Sequence, residues 1–287
     1  MAGERLRPRL RRDPSQEVSD AERPAHAVLI RSPEGYAPQS VAGVLARRSG
    51  VLALDLLPAV RRNWGLAAES LPAVQAEELA SALTAGGQPA VAAPTSLLED
   101  PPEPAVVSKA ELSGDGFDVV SGPKHLAPER LSWSRLAVLC AAGLETRAAM
   151  TVAHSGPGVA AGKAVRLGLT LATGLPFMKS DETRKVETRD RALVLDLLFL
   201  APARVLRIEA ARFHYTLLGE KMSHGAEVNF VTLLEELSSR APRALRGKGT
   251  RAMLARRTAA ESMYESLEDL RREERWLLTL AALRAAV

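Results

Sequence analysis

"HSGPGVAAGKAVRLGLTL", residues 154–171, is the stretch whose reading decides the fold. Taken as a glycine-rich phosphate cradle it makes the chain an α/β nucleotide-binding protein; taken as a turn feeding a strand it makes this half of the chain β-rich. A phosphate loop needs Gly, four residues, then Gly-Lys-Ser/Thr, because backbone N–H groups wrap the phosphates while the lysine and hydroxyl reach phosphate and magnesium. Here the glycine position is Pro157, Gly158 leaves three residues before Gly162 and Gly156 leaves five, and Ala164 follows Lys163 where a hydroxyl is required. A phosphate loop also runs into a helix whose N-terminus faces the anion. Instead Val165, Leu167, Leu169 and Leu171 alternate with Arg166, Gly168 and Thr170, the period of a strand. Downstream, "ALVLD" ends at Asp196 in imitation of the second half of a nucleotide site, but the apolar run continues through Leu197, Leu198 and Phe199, which puts the carboxylate inside a strand. The stretch therefore reads as a strand-to-strand connection, with Gly156, Pro157, Gly158 and Gly162 supplying turn geometry.

Working outward, 287 residues with 46% apolar and 25% charged side chains describe a globular chain long enough for two domains. Aromatics are scarce at 4%, so the cores are built from Leu and Val; the wealth of Ala, Leu and Arg reads as a GC-rich bacterial coding bias. The single cysteine, Cys140, excludes an intrachain disulfide framework and a thiolate metal cluster and fits a cytoplasmic location. The net charge is +4, and residues 1–23 hold Arg5, Arg7, Arg9, Arg11 and Arg12 in a basic arm read as disordered. These arginines are the candidates for contact with an anionic partner. A solvated tail is preferred over attachment to nucleic acid or a membrane surface through them. No apolar stretch is long enough for a secretory signal or a transmembrane helix.

From Pro24 the pattern becomes regular. "HAVLIRS" is a strand, and "APQSVAGVLARRSG" is a helix with Val41, Val44 and Leu45 on one face and Gly50 as its stop. "LALDLLPAVRRNWGLAAES" reads as two short extended segments around Arg61-Arg62-Asn63. "PAVQAEELASALTAGG" starts a helix at Pro72, buries Val74, Leu79 and Leu83, and stops at Gly86-Gly87; "QPAVAAPTSLL" closes with a strand. The order β-α-β-β-α-β over residues 24–97 resembles a ferredoxin-like fold. That resemblance, carried by element order and the "LTAGGQPAVAA" turn, implies a small regulatory or interaction module and assigns no functional residue.

"LEDPPEPAVVS" supplies a proline-rich linker at residues 98–107. Residues 108–242 then read as mostly sheet, closing with "EVNFVTLLEELSSRAP", where Phe230, Leu233, Leu234 and Leu237 fall at i, i+3, i+4 and i+7 and Pro242 stops the helix. An antiparallel sheet capped by one amphipathic helix, with "LSWSRLAVL" as a strand, resembles bacterial pleckstrin-homology-like modules. No Lys followed after a gap by Arg-x-Arg occurs after Lys109 or Lys124. The resemblance therefore implies a scaffold and not lipid headgroup recognition. Residues 184–191, "RKVETRDR", read as a solvated hairpin loop, and residues 243–287 as a helical tail of one helix or two that folds back on its own protein or pairs with a second subunit. The fold class expected is α+β.

The densest polar cluster, "RFHYTLLGEKMSHGAE", gathers His214, Tyr215, Glu220, Lys221, His224 and Glu227. His214, on a strand, and His224, before a helix, lack the short spacing of metal pairs, and a third ligand such as His154 or Asp196 would have to come from elsewhere; His125 sits in another turn. Cys140 lies among apolar residues and reads as a small buried hydrophobe. Ser132 and Ser134 bracket an inward-facing Trp133. The adjacent carboxylates Glu235-Glu236 and Glu273-Glu274 read as solvated helix faces. No cofactor and no metal is expected. The leading expectation is a non-enzymatic interaction or regulatory scaffold of a bacterial cytosol with a protein partner or self-association through the helical tail. The rivals are a small-ligand-binding protein or a hydrolase using His214, His224 and Glu227, and peripheral attachment through the arginine arm.

Overall fold

A computed structural model describes residues 25–121, 128–152 and 184–286. The arginines of the basic arm, His125, His154, Lys163 and the 154–171 turn and strand lie outside the described residues. The class is α+β. Two units divide the chain, residues 1–101 together with 271–287, and residues 102–270.

The first unit runs β1 (His26–Ile30), α1 (Pro38–Ser49), α2 (Ala53–Arg62), β2 (Leu66–Leu71), α3 (Ala73–Ala85) and β3 (Ala90–Pro94). Strand β1 is central, antiparallel to β2 on one side and to β3 on the other. Ala27, Val28, Leu29 and Ile30 are all fully buried, which explains why "HAVLI" is a continuous apolar run and not an alternation. Helix α1 buries Val41, Ala42 and Val44, and Gly50 ends it in the left-handed conformation at φ 73°.

The order here is β-α-α-β-α-β, with three strands, because the segment ahead of Arg61 expected to be extended is helix α2. Leu56, Leu57 and Val60 have helical spacing and point inward, whereas Pro58 within the helix makes the sequence look broken there. In α3 the inward face is Ala76, Leu79, Ala80 and Leu83; Val74, expected inside, is exposed in the first turn.

The C-terminal tail is not simply helical. Residues 245–264 contribute short strands and a short helix to the second unit, and the long helix begins only at Leu267 and ends at Ala285. From Arg271 this last helix belongs with β1 and β2. Trp276 is its anchor: the indole N–H donates to the Ile30 carbonyl at 2.8 Å, and the ring lies 5.3 Å from that of Tyr36. A Cβ on Gly65 would come within 2.0 Å of this indole, so the approach requires glycine. Thr279 accepts from Glu99 N–H at 2.9 Å, and Arg275 pairs with Glu69 at 2.9 Å and with Asp100 at 2.6 Å. Glu273 and Glu274, expected to be solvated, are fully buried, because tertiary packing covers more than one side of this helix. Burial, reinforced by the Glu273 charge, raises the Tyr36 hydroxyl well above the ordinary phenol range.

The second unit holds β4 (Ala105–Val106), β5 (Lys109–Leu112), β6 (Gly116–Ser121), β7 (Glu129–Ser132), β8 (Leu136–Val152), β9 (Arg184–Phe199), β10 (Arg204–Glu209), α4 (Ala226–Arg240), β11 (Leu245–Arg246), α5 (Lys248–Leu254) and β12 (Met263–Tyr264). One sheet is β5-β6-β7; the other is β11-β8-β9-β10-β4, with β12 also on β8. Residues 184–191 are strand and not loop, paired residue for residue from Arg184 opposite Val152 to Arg191 opposite Glu145. Charged residues are compatible with a strand whose ladder is satisfied by its neighbour.

Helix α4 has the expected buried stripe: Phe230, Leu233, Leu234 and Leu237 are fully buried in one core with Phe117, Trp133, Leu195 and Phe199. Trp133 is inward and Ser134 exposed as expected, although a 3-10 turn (Trp133–Arg135) and not a strand carries them. Cys140 is buried. From Val138 to Leu144 the second edge of β8 is covered by the chain that follows α4: β11 pairs Val138 and Leu139, Thr250 accepts from Ala141 N–H and donates to the Leu139 carbonyl, each at 2.8 Å, and β12 pairs Gly143 and Leu144.

Asp196 lies inside β9, opposite Cys140 on β8 and Arg207 on β10. Its fully buried carboxylate receives two hydrogen bonds from the Arg207 guanidinium, at 2.8 and 2.5 Å. Removing one member strands the other charge in a dry site, whereas replacing both with apolar groups removes the desolvation cost as well.

Urea titration checks both anchors. Trp276→Ala is expected to lower the unfolding free energy by about 3–5 kcal/mol, and Gly65→Ala to destabilise the same unit by displacing the indole. Asp196→Ala costs about 3–5 kcal/mol, while the double change Asp196→Leu with Arg207→Leu recovers most of that loss in the same assay.

Candidate functional site

The polar cluster that invites a catalytic reading forms the connection from β10 to α4. His214 and His224 are both exposed, one ahead of a 3-10 segment (Tyr215–Lys221) and the other just before α4; Glu227 is exposed in the first turn of that helix. The backbone N–H of His214 donates to the Ser108 carbonyl at 2.8 Å. Tyr215 is buried edge-on to Phe213, its hydroxyl donating to the Ala210 carbonyl at 3.1 Å, and burial raises its pKa above the ordinary phenol range. Asn229 clasps Ser223 reciprocally, accepting from its N–H at 2.6 Å and donating to its carbonyl at 2.8 Å. Lys221 and Arg240 both donate to the Glu236 carboxylate. Glu236, expected to be merely solvated, is therefore the centre of an ion-pair group, and its neighbour Glu235 pairs with Arg256 at 2.6 Å. Polar residues are concentrated here because they orient a corner of the chain: most of these contacts tie the connection to itself or to α4. Among the described residues no group of three or more His, Cys, Asp or Glu side chains is arranged to hold a metal ion.

A different surface stands out in the first unit. Gly50 closes α1 with its N–H on the Ala46 carbonyl at 2.9 Å, and Leu52 starts α2 by accepting from the N–H groups of Asp55 and Leu56. The Ser49 hydroxyl bridges this corner, donating to the Leu45 carbonyl at 2.9 Å and accepting from Val51 N–H at 3.3 Å. The bend that lets Leu56, Leu57 and Val60 face inward leaves Val51, Leu52 and Leu54 exposed, to 44%, 71% and 78%. Burying a leucine is worth roughly 1.5–3 kcal/mol, so these side chains leave several kcal/mol of favourable burial unrealised in the folded chain. Leu54, Pro58 and Arg61 fall at i, i+4 and i+7, giving α2 an outward stripe that is apolar at its start and cationic at its end, where Arg62 is also exposed. Arg47 and Arg48 stand in the last turn of α1 beside the corner; Arg48 pairs with Glu78 at 3.1 Å. Reading the segment as extended hides this surface; the inward spacing of Leu56, Leu57 and Val60 is the signal that puts Leu54 on the opposite side.

Comparison of the chain with protein-family models, with curated proteins and with solved structures yields no match. Among the described residues no helix is long and apolar enough to cross a membrane.

The Glu236 group generates a pH dependence. Its carboxyl is held below the usual carboxylate range, first by the Lys221 hydrogen bond and then by that of Arg240. A depressed folded-state pKa contributes stability that is present above the unfolded carboxylate range and drains away as pH falls through the folded value. Glu236→Gln is therefore less stable than the parent at neutral pH, and the gap closes on acidification; chemical denaturation at neutral and strongly acidic pH measures it.

Proposed function

We propose that the protein is a non-enzymatic interaction scaffold of the bacterial cytoplasm, carrying two α+β units on one chain, with the α1–α2 corner as its principal docking surface. The observation that carries this reading is the exposure of Val51, Leu52 and Leu54 together at one bend. A contiguous exposed apolar patch rimmed by polar residues is the usual mark of a protein-binding surface. Arg47 in the last turn of α1 and Arg61 and Arg62 in the last turn of α2 are exposed, and Asp55 is the one acid within α2. The occupant this chemistry selects is an acidic amphipathic segment of a partner protein, its apolar side chains on Leu52 and Leu54 and its carboxylates toward the arginines. Basic groups at the rim accelerate encounter with such a partner, and buried leucines hold it. A cytoplasmic setting agrees with the single, buried thiol of Cys140.

The test compares the intact protein with Leu52→Ser/Leu54→Ser by affinity purification from its native cell and mass spectrometry of co-purifying proteins. A third variant, Val228→Ser, alters an exposed apolar residue elsewhere as a control. The expected result is a partner with an acidic amphipathic segment that is lost only with the double variant, whose thermal unfolding matches the parent because neither leucine is packed. Identical partner sets for all three proteins overturn the proposal.

A further inference from the structure

Strand β3 is an edge strand of the β2-β1-β3 sheet, and no described strand pairs with its outer side. Thr95 N–H donates to the Ala25 carbonyl at 2.8 Å and Arg31 N–H to the Pro89 carbonyl at 2.7 Å, in register with Leu29 opposite Val91. In an antiparallel ladder this assigns the odd-numbered residues of β3 to β1 and turns the backbone groups of Ala90, Ala92 and Pro94 outward. The Ala90 N–H indeed reaches the Thr84 hydroxyl of α3, at 3.1 Å. The Ala90 carbonyl, both backbone groups of Ala92 and the Pro94 carbonyl remain on the outer side.

Alongside this edge runs an open groove of about 730 Å³ between α3 and β3, lined by Ala80, Ser81, Thr84, Ala90, Val91 and Ala92. Small side chains on both walls leave room for the side chains of an added strand. Among the described residues that line the groove, Glu77 alone is ionisable; Glu78, next to it, is engaged by Arg48. Because a short turn joins α3 to β3, the two run in opposite directions, which puts Glu77 toward the Pro94 end.

We infer that the outer edge of β3 is a strand-addition site that takes a short, extended, basic segment of a partner protein. The outward backbone groups demand an extended chain, the groove admits small and medium side chains, and Glu77 selects a lysine or arginine. In the antiparallel orientation of the rest of this sheet, that basic residue lies at the N-terminal end of the bound segment. This inference rests on the interaction reading above but uses a separate surface with the opposite charge preference.

The experiment titrates the full chain into a fluorescein-labelled peptide, Lys-Thr-Val-Thr-Val-Thr, its analogue with Glu for Lys, and its analogue N-methylated at alternate residues, and reads anisotropy. The basic peptide is expected to bind, with each analogue weaker by about tenfold or more, a loss of about 1.4 kcal/mol. Ala92→Pro removes the outward N–H of β3 at its centre without touching the bonds to β1, so it abolishes binding with the fold intact by circular dichroism. Glu77→Lys, at an exposed position, reverses the preference to the acidic analogue and tests the site independently if Ala92→Pro does not fold. No binding of the basic peptide, or equal binding by the N-methylated one, overturns the inference. So does a concentration-dependent dimer that Ala92→Pro dissociates, which makes the occupant a second copy. Leu52→Ser/Leu54→Ser leaves peptide binding unchanged, so failure of the parent chain to bind the basic peptide, with partner capture by the corner still lost in the double variant, refutes this inference alone.

Discussion

The first unit depends on the Trp276 indole, which packs against Gly65 and donates its N–H to the carbonyl of Ile30, 246 positions earlier in the chain. This contact meets three constraints together. The last carbonyl of β1 acquires a donor, the largest side chain of the C-terminal helix is buried, and Gly65 is held to glycine by lack of space. Around it, Thr279, Arg271 and Arg275 fasten the helix to Glu99, Pro101, Asp100 and Glu69. The unit is consequently assembled from both ends of the described chain, and the whole second unit lies between them in sequence. Its sheet cannot acquire its final packing until the last helix is made, so this is a long-range closure made across the second unit in sequence.

The second unit solves an analogous problem by different means. Strand β8 is long and one of its edges is taken by β9; the other is covered from Val138 to Leu144 in turn by β11, by the Thr250 hydroxyl and by β12. Tyr264 in β12 accepts from Gly249 N–H at 3.0 Å, joining the ends of this closing segment, and Lys248 lies 4.9 Å above its ring. The Asp196–Arg207 pair sets the register of β9 on β10, because a slip by one residue places a buried charge against an apolar neighbour. The two candidate docking surfaces, a helix corner and the outer edge of β3, both lie in the first unit.

Much of the fold is legible in the sequence because local periodicity reports local backbone geometry. The α4 stripe, the inward Cys140, the strand position of Asp196 and the Gly50 stop all follow from spacing within a window of a few turns. Two of the segments that depart from that rule are residues 53–62 and 184–191. Residues 53–62 read as extended because Pro58 looks like a break, and residues 184–191 read as a loop because their charges look solvated, yet one is helix and the other strand. For residues 184–191 a partner distant in sequence, strand β8, overrides the local preference; for residues 53–62 the signal is local, the helical spacing of Leu56, Leu57 and Val60. The candidate site is less legible than the fold. His214, His224 and Glu227 attract notice by composition, but density of polar residues does not distinguish a reactive group from a corner held by hydrogen bonds.

By itself the sequence determined the α+β class, the helices whose apolar faces repeat at three and four residues, and the failure of residues 154–171 to meet the spacing of a phosphate loop. Only the tertiary structure decided that residues 271–285 pack with β1, that residues 245–264 close an edge of β8, that Glu273 and Glu274 are buried, and that Leu52 and Leu54 are exposed. The physical reason is one of range. Periodicity states that a face must be covered, because water is a poor solvent for it, but the group that covers it is chosen by contacts across the whole chain, and so is the face that remains uncovered.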